Sequence, residues 1–245
     1  MRRTTVGLFG DGMPRRLVDL GLAGALLLMT SPLFLLLLGV NRLWSGRPFF
    51  RQVRIGRDLR PFVLLKFQTM TPTSPGGTTV TVAHDRRITP YGRILRSVKL
   101  DELPQFLNVL RGEMTLVGPR PLTPNEVDAI PRHLAAVVYR ALPGVTGASA
   151  VAFAHEERLL AAAADPQRTY FDEILPRKIA LELAYARRRT WGSDLLLLLL
   201  TPLAPAAPSL ARRALIRLVP GWQALSEVRA GAARPAAADS GQLTR

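Results

Sequence analysis

Two acidic side chains stand next to each other in Lys99–Pro121, "KLDELPQFLNVLRGEMTLVGPRP". Leu100, Leu103, Phe106 or Leu107, and Leu110 recur at helical spacing, so the pattern predicts a helix from Asp101 onward with a buried stripe. Pro104 fits only in the first turn of such a helix, where its missing N–H has no partner to lose. Asp101 and Glu102 then lie at a helix N-terminus, whose partial positive charge stabilises a carboxylate by ~0.3–1 kcal/mol. Arg96 and Lys99 act in the same direction, so both acids are expected to be charged at neutral pH. An ionised carboxylate can attack phosphorus or hold a divalent cation, but it cannot serve as a general acid. An ordinary helix cap is the other reading of the same pair.

The Gly118-Pro119-Arg120-Pro121 turn follows. Prolines on both sides hold the Arg120 backbone extended. A guanidinium on so stiff a stem suits two phosphate oxygens; the alternative is an arginine satisfying loop carbonyls. Lys66 ends an apolar run, where it either points into a pocket or guards an edge strand.

The elements that must position these residues can be read in outline. Arg47–Met70 reads as a β-hairpin: Phe50, Val53 and Ile55 on one strand, Gly56-Arg57-Asp58 at the turn, Phe62 to Phe67 on the second. Residues 71–90 are rich in Thr, Pro and Gly and read as a loop. Residues 91–99 form a short basic amphipathic helix carrying Arg93, Arg96 and Lys99. A helical region runs from Pro121 to about Arg140, Pro143–Gly147 reads as a turn, and helices are expected near 155–164 and 172–190. The leucine run before Pro202 is too short to span a bilayer and reads as core or membrane-surface contact. In "SLARRALIRLV", Leu210, Ala214, Leu215 and Leu218 share one face and Arg212, Arg213 and Arg217 the other, a pattern that suits an interfacial helix or an ordinary surface helix. The last twenty or so residues have the composition of a disordered tail.

Upstream, Leu20–Val40 contains 21 residues without a charge, long enough for a straight bilayer-spanning helix. Ser31-Pro32 interrupts it at the midpoint. Proline removes a backbone donor and costs ~3 kcal/mol in a helix interior, and a hydroxyl such as that of Ser31 or Thr30 is a suitable partner for the freed carbonyl. Residues 1–60 hold ten Arg against three Asp, on both flanks of the apolar run. Because arginine marks the cytoplasmic side, this arrangement suits a hairpin that enters and leaves on the cytoplasmic face. A kinked single-pass anchor is the alternative.

The chain has 245 residues, 48% of them hydrophobic, with a net charge of +15. The charge implies an anionic partner: nucleic acid, lipid headgroups or a phosphorylated small molecule. Aromatics make up only 7%, which is thin for base stacking, and no helix reads as a DNA-reading element, so nucleic acid is not expected. With no cysteine and only His84, His133 and His155, disulfides, thiolate chemistry and a histidine-rich metal centre are excluded or disfavoured. Paired acids, several cations and a lipid anchor together point to phosphoryl transfer at a membrane surface.

The stretch "KFQTM … LRSVKLDELPQFLNVLRGEMTLVGPRPL … LPGVTG", with the Ser-Pro break, resembles the bacterial sugar transferases, the monotopic phosphoglycosyl transferases, over roughly residues 14 to 201. The resemblance implies transfer of a sugar-1-phosphate from a UDP-sugar to undecaprenyl phosphate, at the start of exopolysaccharide, capsule or other surface-glycan synthesis. It implies Asp101 as the nucleophile forming a covalent phosphosugar, Glu102 as a Mg2+-binding acid, Lys66, Arg96 and Arg120 as phosphate-binding cations, and Ser31 and Pro32 as the helix break. The implied fold is α+β and mostly helical: a basic segment (1–16), a re-entrant membrane helix (17–43), a small cytoplasmic catalytic domain with a short β-hairpin and membrane-surface helices (44–203), and an amphipathic or disordered tail (204–245). The implied location is the inner face of the bacterial cytoplasmic membrane, in contact with its lipids; no oligomeric state follows. The chain departs from the family pattern at Gln68 and Leu142, where arginines are common, and in "ASAVAFAHEE" after Gly147. These departures motivate a second reading, a non-catalytic membrane scaffold of the same family.

Overall fold

The computed structural model describes residues 12–71, 81–83 and 85–221. Two helices open it, α1 (Met13–Met29) and α2 (Ser31–Ser45), bent by 71° at Thr30. Pro32 cannot donate to the carbonyl of Leu28; the Ser31 hydroxyl does so instead, at 2.8 Å, and Thr30 Oγ1 donates to Leu26 O at 2.7 Å. Of the two hydroxyls expected as partners for the freed carbonyl, Ser31 takes that role. Among the described residues no single helix is long and apolar enough to cross a membrane, although the bent pair passes that test as a unit. Leu28, Met29 and Leu43 are more than three-quarters exposed.

The basic start of α1 is fastened to the body of the protein. Arg16 donates to Val109 O at 2.6 Å and to Met114 O at 3.2 Å. Asp19, buried in the same helix, accepts from Thr115 Oγ1 at 2.5 Å and from Leu116 N at 3.2 Å.

The β-hairpin is β1 (Phe50–Ile55) and β2 (Pro61–Lys66), antiparallel, in register from Phe50 opposite Lys66 to Ile55 opposite Pro61. Its turn contains Asp58 and Leu59 at positive φ. The free edge of β2 is satisfied by a side chain: buried Asn108 accepts from Leu65 N at 3.1 Å and donates to Val63 O at 2.8 Å, which blunts the edge without a third strand. After the hairpin come α3 (Pro90–Ser97), capped by Thr89, and α4 (Gln105–Arg111), ended by Gly112 at φ 85°. The expected helix from Asp101 begins differently: Leu100–Glu102 is a 3-10 turn, entered through Lys99 at φ 60°, and the α-helix starts only after Pro104.

A second, parallel pair joins β3 (Thr115–Val117) to β4 (Gly144–Thr146), with Thr115 opposite Gly144 and Val117 opposite Thr146. Pro143–Gly147, read from sequence as a turn, is thus mostly strand. The glycines are needed for close approach rather than for bending: a Cβ on Gly144 would stand 2.2 Å from Gly118 N, and one on Gly147 2.3 Å from Gly118 O.

The remaining body is helical: α5 (Pro124–Asp128), α6 (Arg132–Val138), α7 (Ala148–Ala152), α8 (Glu156–Ala161), α9 (Pro166–Thr169), α10 (Leu175–Ala186), α11 (Trp191–Leu203) and α12 (Pro208–Leu218). One core gathers Ala23, Val109, Leu116, Leu181 and Leu197 between α1, β3, α10 and α11. A second lies between α5, α6 and α10, and a third, around Phe67, Leu95 and Leu103, seats α2 through Leu37. The leucine run is half core, with Leu197 and Leu200 buried and Leu195 and Leu199 exposed. On α12, Leu215 is buried with Ala211, and Ala214 and Leu218 pack against the same core as expected, while Leu210, expected on that face, is exposed. The expected disordered tail lies outside the described residues, as does most of the loop after Thr71.

Candidate active site

The turn that carries the two acids is held by its backbone. Phe67, just past β2, donates from its N–H to Asp101 O at 2.9 Å, so the end of the hairpin fixes where the acids stand. Lys99, in the left-handed conformation that costs a non-glycine residue ~1–2 kcal/mol, turns the chain out of α3 into them. Glu102 meets Lys66 at the strand end, Nζ to Oε1 3.1 Å. Burial opposes ionisation of Glu102, but Lys66, Lys99 and Arg120 outweigh it and hold its carboxyl at about 2.

Asp101 behaves differently. It is 5% exposed, and its Oδ1 has no hydrogen-bond partner. Burial raises its pKa, the Glu102 charge adds to this, and Lys66, Arg96 and Lys99 oppose it. This corrects the expectation that a helix terminus would hold both acids down. The two neighbours are pushed apart: Glu102 is fixed as an anion, whereas Asp101 is a desolvated carboxyl with one oxygen free of donors.

Beside them opens a cleft lined by Arg54, Lys66, Glu102, Gln105, Arg120 and the segment 144–147, among others. Three of the sequence-derived residues, Lys66, Glu102 and Arg120, therefore meet in one wall. Arg120 is placed by its prolines and by Tyr139, whose hydroxyl donates to Arg120 O at 2.9 Å. Burial weighs against its charge, but Glu156, Tyr170, Glu102 and Glu126 more than compensate and raise its pKa. Asp101 lies against this wall rather than in it. Arg96 is ion-paired with Glu157 and does not line the cleft, although its charge bears on Asp101. Ser31 and Pro32 sit at the helix bend, remote in sequence from the cleft.

Gln105 and Arg54 are among the lining residues that sequence reasoning does not single out. Gln105 is buried one turn after the acids. Arg54 stood among the basic residues that follow the apolar run, and only the strand alternation that puts it on the face of Lys66 could have separated it from them. Gln68 donates to Met70 O, and neither Gln68 nor Leu142 lines the cleft.

Mg2+ can be tested against these residues. Among the described residues no three His, Cys, Asp or Glu side chains gather around a metal-sized space. Two adjacent carboxyls, one with an unpartnered oxygen, nonetheless suit an ion that takes one or two carboxylates and completes its shell with water and substrate phosphate. The residues fit.

The site is a small cleft walled by Arg54, Lys66 and Arg120, with paired acids at one end. The chain belongs to the bacterial sugar transferase family, whose model matches residues 11–206. It is similar to the uncharacterized sugar transferase EpsL of Bacillus subtilis, 43% identical over 136 residues, 54% of this chain and 65% of that one. It is 38% identical over 154 residues to the exopolysaccharide production protein ExoY of Rhizobium meliloti, covering 56% and 67% of the two chains. It is 42% identical over 143 residues to the UDP-glucose:undecaprenyl-phosphate glucose-1-phosphate transferase of Caulobacter vibrioides, 56% of this chain and 53% of that protein. The matched part thus spans about half to two thirds of these relatives.

Proposed function

We propose that this chain transfers a sugar-1-phosphate from a UDP-sugar to undecaprenyl phosphate, with Asp101 as the nucleophile, at the inner face of a bacterial membrane and at the start of surface-glycan synthesis. Family membership and the name of the Caulobacter relative support the reaction class. The observation that carries the residue assignment is the unpartnered, buried Oδ1 of Asp101 beside the Lys66–Glu102 ion pair.

In the first half, Asp101 Oδ1 forms a bond to the sugar-bearing phosphorus. The bond from that phosphorus to the bridging oxygen breaks, and UMP leaves with the electron pair. In the second half, an oxygen of undecaprenyl phosphate forms its bond to the same phosphorus and the Asp101 carboxylate departs unchanged. Neither half needs a proton from Asp101. Desolvation of its carboxylate favours attack, since a buried anion has little hydration to shed. Lys66 and Arg120 hold the phosphate oxygens and offset the charge that would otherwise repel an anionic nucleophile. Glu102 would hold Mg2+, which would supply neutralisation of the diphosphate. Splitting the exchange in two lets donor and acceptor use one pocket in turn.

Support for the membrane placement comes from the 71° bend at Thr30 and the exposed apolar side chains around it. The hairpin enters and leaves on the side where the flanking arginines lie.

The test is release of UMP by the full-length protein in detergent, over a panel of UDP-sugars with undecaprenyl phosphate. Wild type is expected to turn over at least one sugar, and Asp101→Asn to lose at least ~10³-fold of that rate, as loss of a nucleophile does. A folded wild type that releases no UMP from any sugar would favour the scaffold reading. Full rate in Asp101→Asn would remove the nucleophile assignment.

A further inference from the structure

The hairpin face that looks into the cleft carries a cation at each end. Cross-strand partners share a face, and side chains two apart along a strand do too, so Gln52, Arg54, Leu64 and Lys66 stand on one side; the last three line the cleft. Lys66 is opposite Phe50 and Arg54 opposite Phe62. Four strand residues separate the two positions, about 14 Å at 3.4 Å per residue.

The two ends differ in their surroundings. The Lys66 end is that of the paired acids, and α2 packs behind it: the ring of Phe34 lies 5.4 Å from that of Phe67, the residue after Lys66. The Arg54 end abuts α5, where Arg54 pairs with Glu126 at 3.2 Å. Arg120 lines the same cleft, its charge supported by Glu156 and by both Glu102 and Glu126.

Arg54 is also braced more fully than a structural ion pair requires. Its Nε and Nη2 donate to Gln52 Oε1 at 3.1 and 2.7 Å, and its Nη1 donates to Pro121 O at 3.1 Å and to Glu126 Oε2. Glu126 is itself locked by Thr123 N at 2.6 Å, Thr123 Oγ1 at 2.9 Å and the Tyr170 hydroxyl. Four of the five guanidinium N–H groups are used, and one on Nη2 is left over in a residue that walls the cleft.

We propose that Arg54 is a donor-binding residue whose remaining N–H receives an oxygen of the nucleoside, so that the donor lies along the hairpin with its sugar-bearing phosphorus at Asp101 and its nucleoside at the end away from α2. The water-soluble nucleotide then leaves from the Arg54 end. The lipid phosphate arrives from the α2 end and does not need Arg54. The proposal rests on the phosphoglycosyl transfer reading for the identity of the nucleotide and for the place of the reacting phosphorus.

Removing Arg54 alone strands the buried Glu126 charge, which is itself destabilising. The test therefore compares Arg54→Gln with the double variant Arg54→Gln/Glu126→Gln, in which no charge is left unpaired. UMP binding to the full-length protein is measured by calorimetry in detergent, and KM for the UDP-sugar and for undecaprenyl phosphate in the turnover assay. Both variants are expected to bind UMP on the order of 10- to 100-fold more weakly, as loss of one charged hydrogen bond does, with KM for the lipid phosphate within about twofold of wild type. Wild-type UMP affinity in the double variant would overturn the proposal and leave Arg54 a structural partner of Glu126. So would an equal rise in both KM values, or no UMP binding by wild type. The transfer reading fails separately, by absence of UMP release from any UDP-sugar.

Discussion

Replacing Lys66 by methionine removes the cation on which both acids lean while keeping the length of the side chain. The carboxyl of Glu102 is drawn down from 4.5 to about 2 by Lys66, Lys99 and Arg120 against the cost of burial. Each tenfold change in proton affinity is worth ~1.4 kcal/mol, so the three cations outweigh burial by about 3 kcal/mol. Lys66 leads them and alone donates a hydrogen bond to Glu102, so its share is about 1–2 kcal/mol. In a chain of this size that corresponds to a fall in Tm of about 2–8 °C at pH 7. The sign with pH follows from the depressed value: the wild-type contribution is present above 4.5 and is lost as pH falls through about 2. In Lys66→Met, burial remains without its compensation, so Glu102 and Asp101 both take up protons at higher pH and the variant sheds its penalty sooner. Thermal unfolding of both proteins in the same detergent, from pH 7 to pH 3, should show a gap that narrows steadily on acidification. A gap that is constant over that range would refute the reasoning, because the stabilisation would then not come from the charge of the acids.

Other expectations can be checked in parallel. Glu182, buried behind β4 with Ser149 donating to its Oε1 from N and Oγ, is raised by burial to about 7. Its neutral form favours folding, so that stability is present below 4.5 and is lost as pH rises through about 7. Glu182→Gln should therefore flatten the fall in Tm between pH 5.5 and 8.5, and an unchanged slope would contradict the assignment. The chain has no cysteine, so Gly12→Cys and Arg60→Cys can each be introduced singly. Both should react with an impermeant maleimide in inverted vesicles and neither in spheroplasts; with Ser31→Ala/Pro32→Ala added, labelling of position 12 should move towards the outer side. Glu102→Gln should weaken the dependence of UMP release on Mg2+ concentration, and an unaltered Mg2+ titration would argue against Glu102 as the metal-holding acid.

What could be read from the sequence were features governed by near neighbours. The alternation of Phe50–Ile55 and Phe62–Phe67 gave the hairpin, and the Ser-Pro pair gave the bend together with the hydroxyl that repairs it. Lys66, Glu102 and Arg120 were chosen for residue type and local stiffness, and they share one wall because the hairpin, the 3-10 turn and the proline-flanked loop converge. What depended on distant partners was not legible. β4 is a strand only because β3 and Gly118 lie against it, so its Pro-Gly start looked like a turn. Arg54 looked like one of many flanking arginines until Glu126, 72 residues away, gave it a place. The upward direction of the Asp101 pKa is not legible from a helix-terminus argument, which contains no burial, and burial is the largest influence on it here.

The central claim is that Asp101 carries the phosphosugar between donor and acceptor. Full-length protein should be given a UDP-sugar labelled at the sugar-bearing phosphate, without lipid phosphate, then quenched and digested with trypsin. The account predicts label on the peptide of residues 100–111, fragmenting to Asp101 and discharged by undecaprenyl phosphate. Label on any other residue, or steady UMP release on adding the lipid with no labelled peptide at any time, would contradict it.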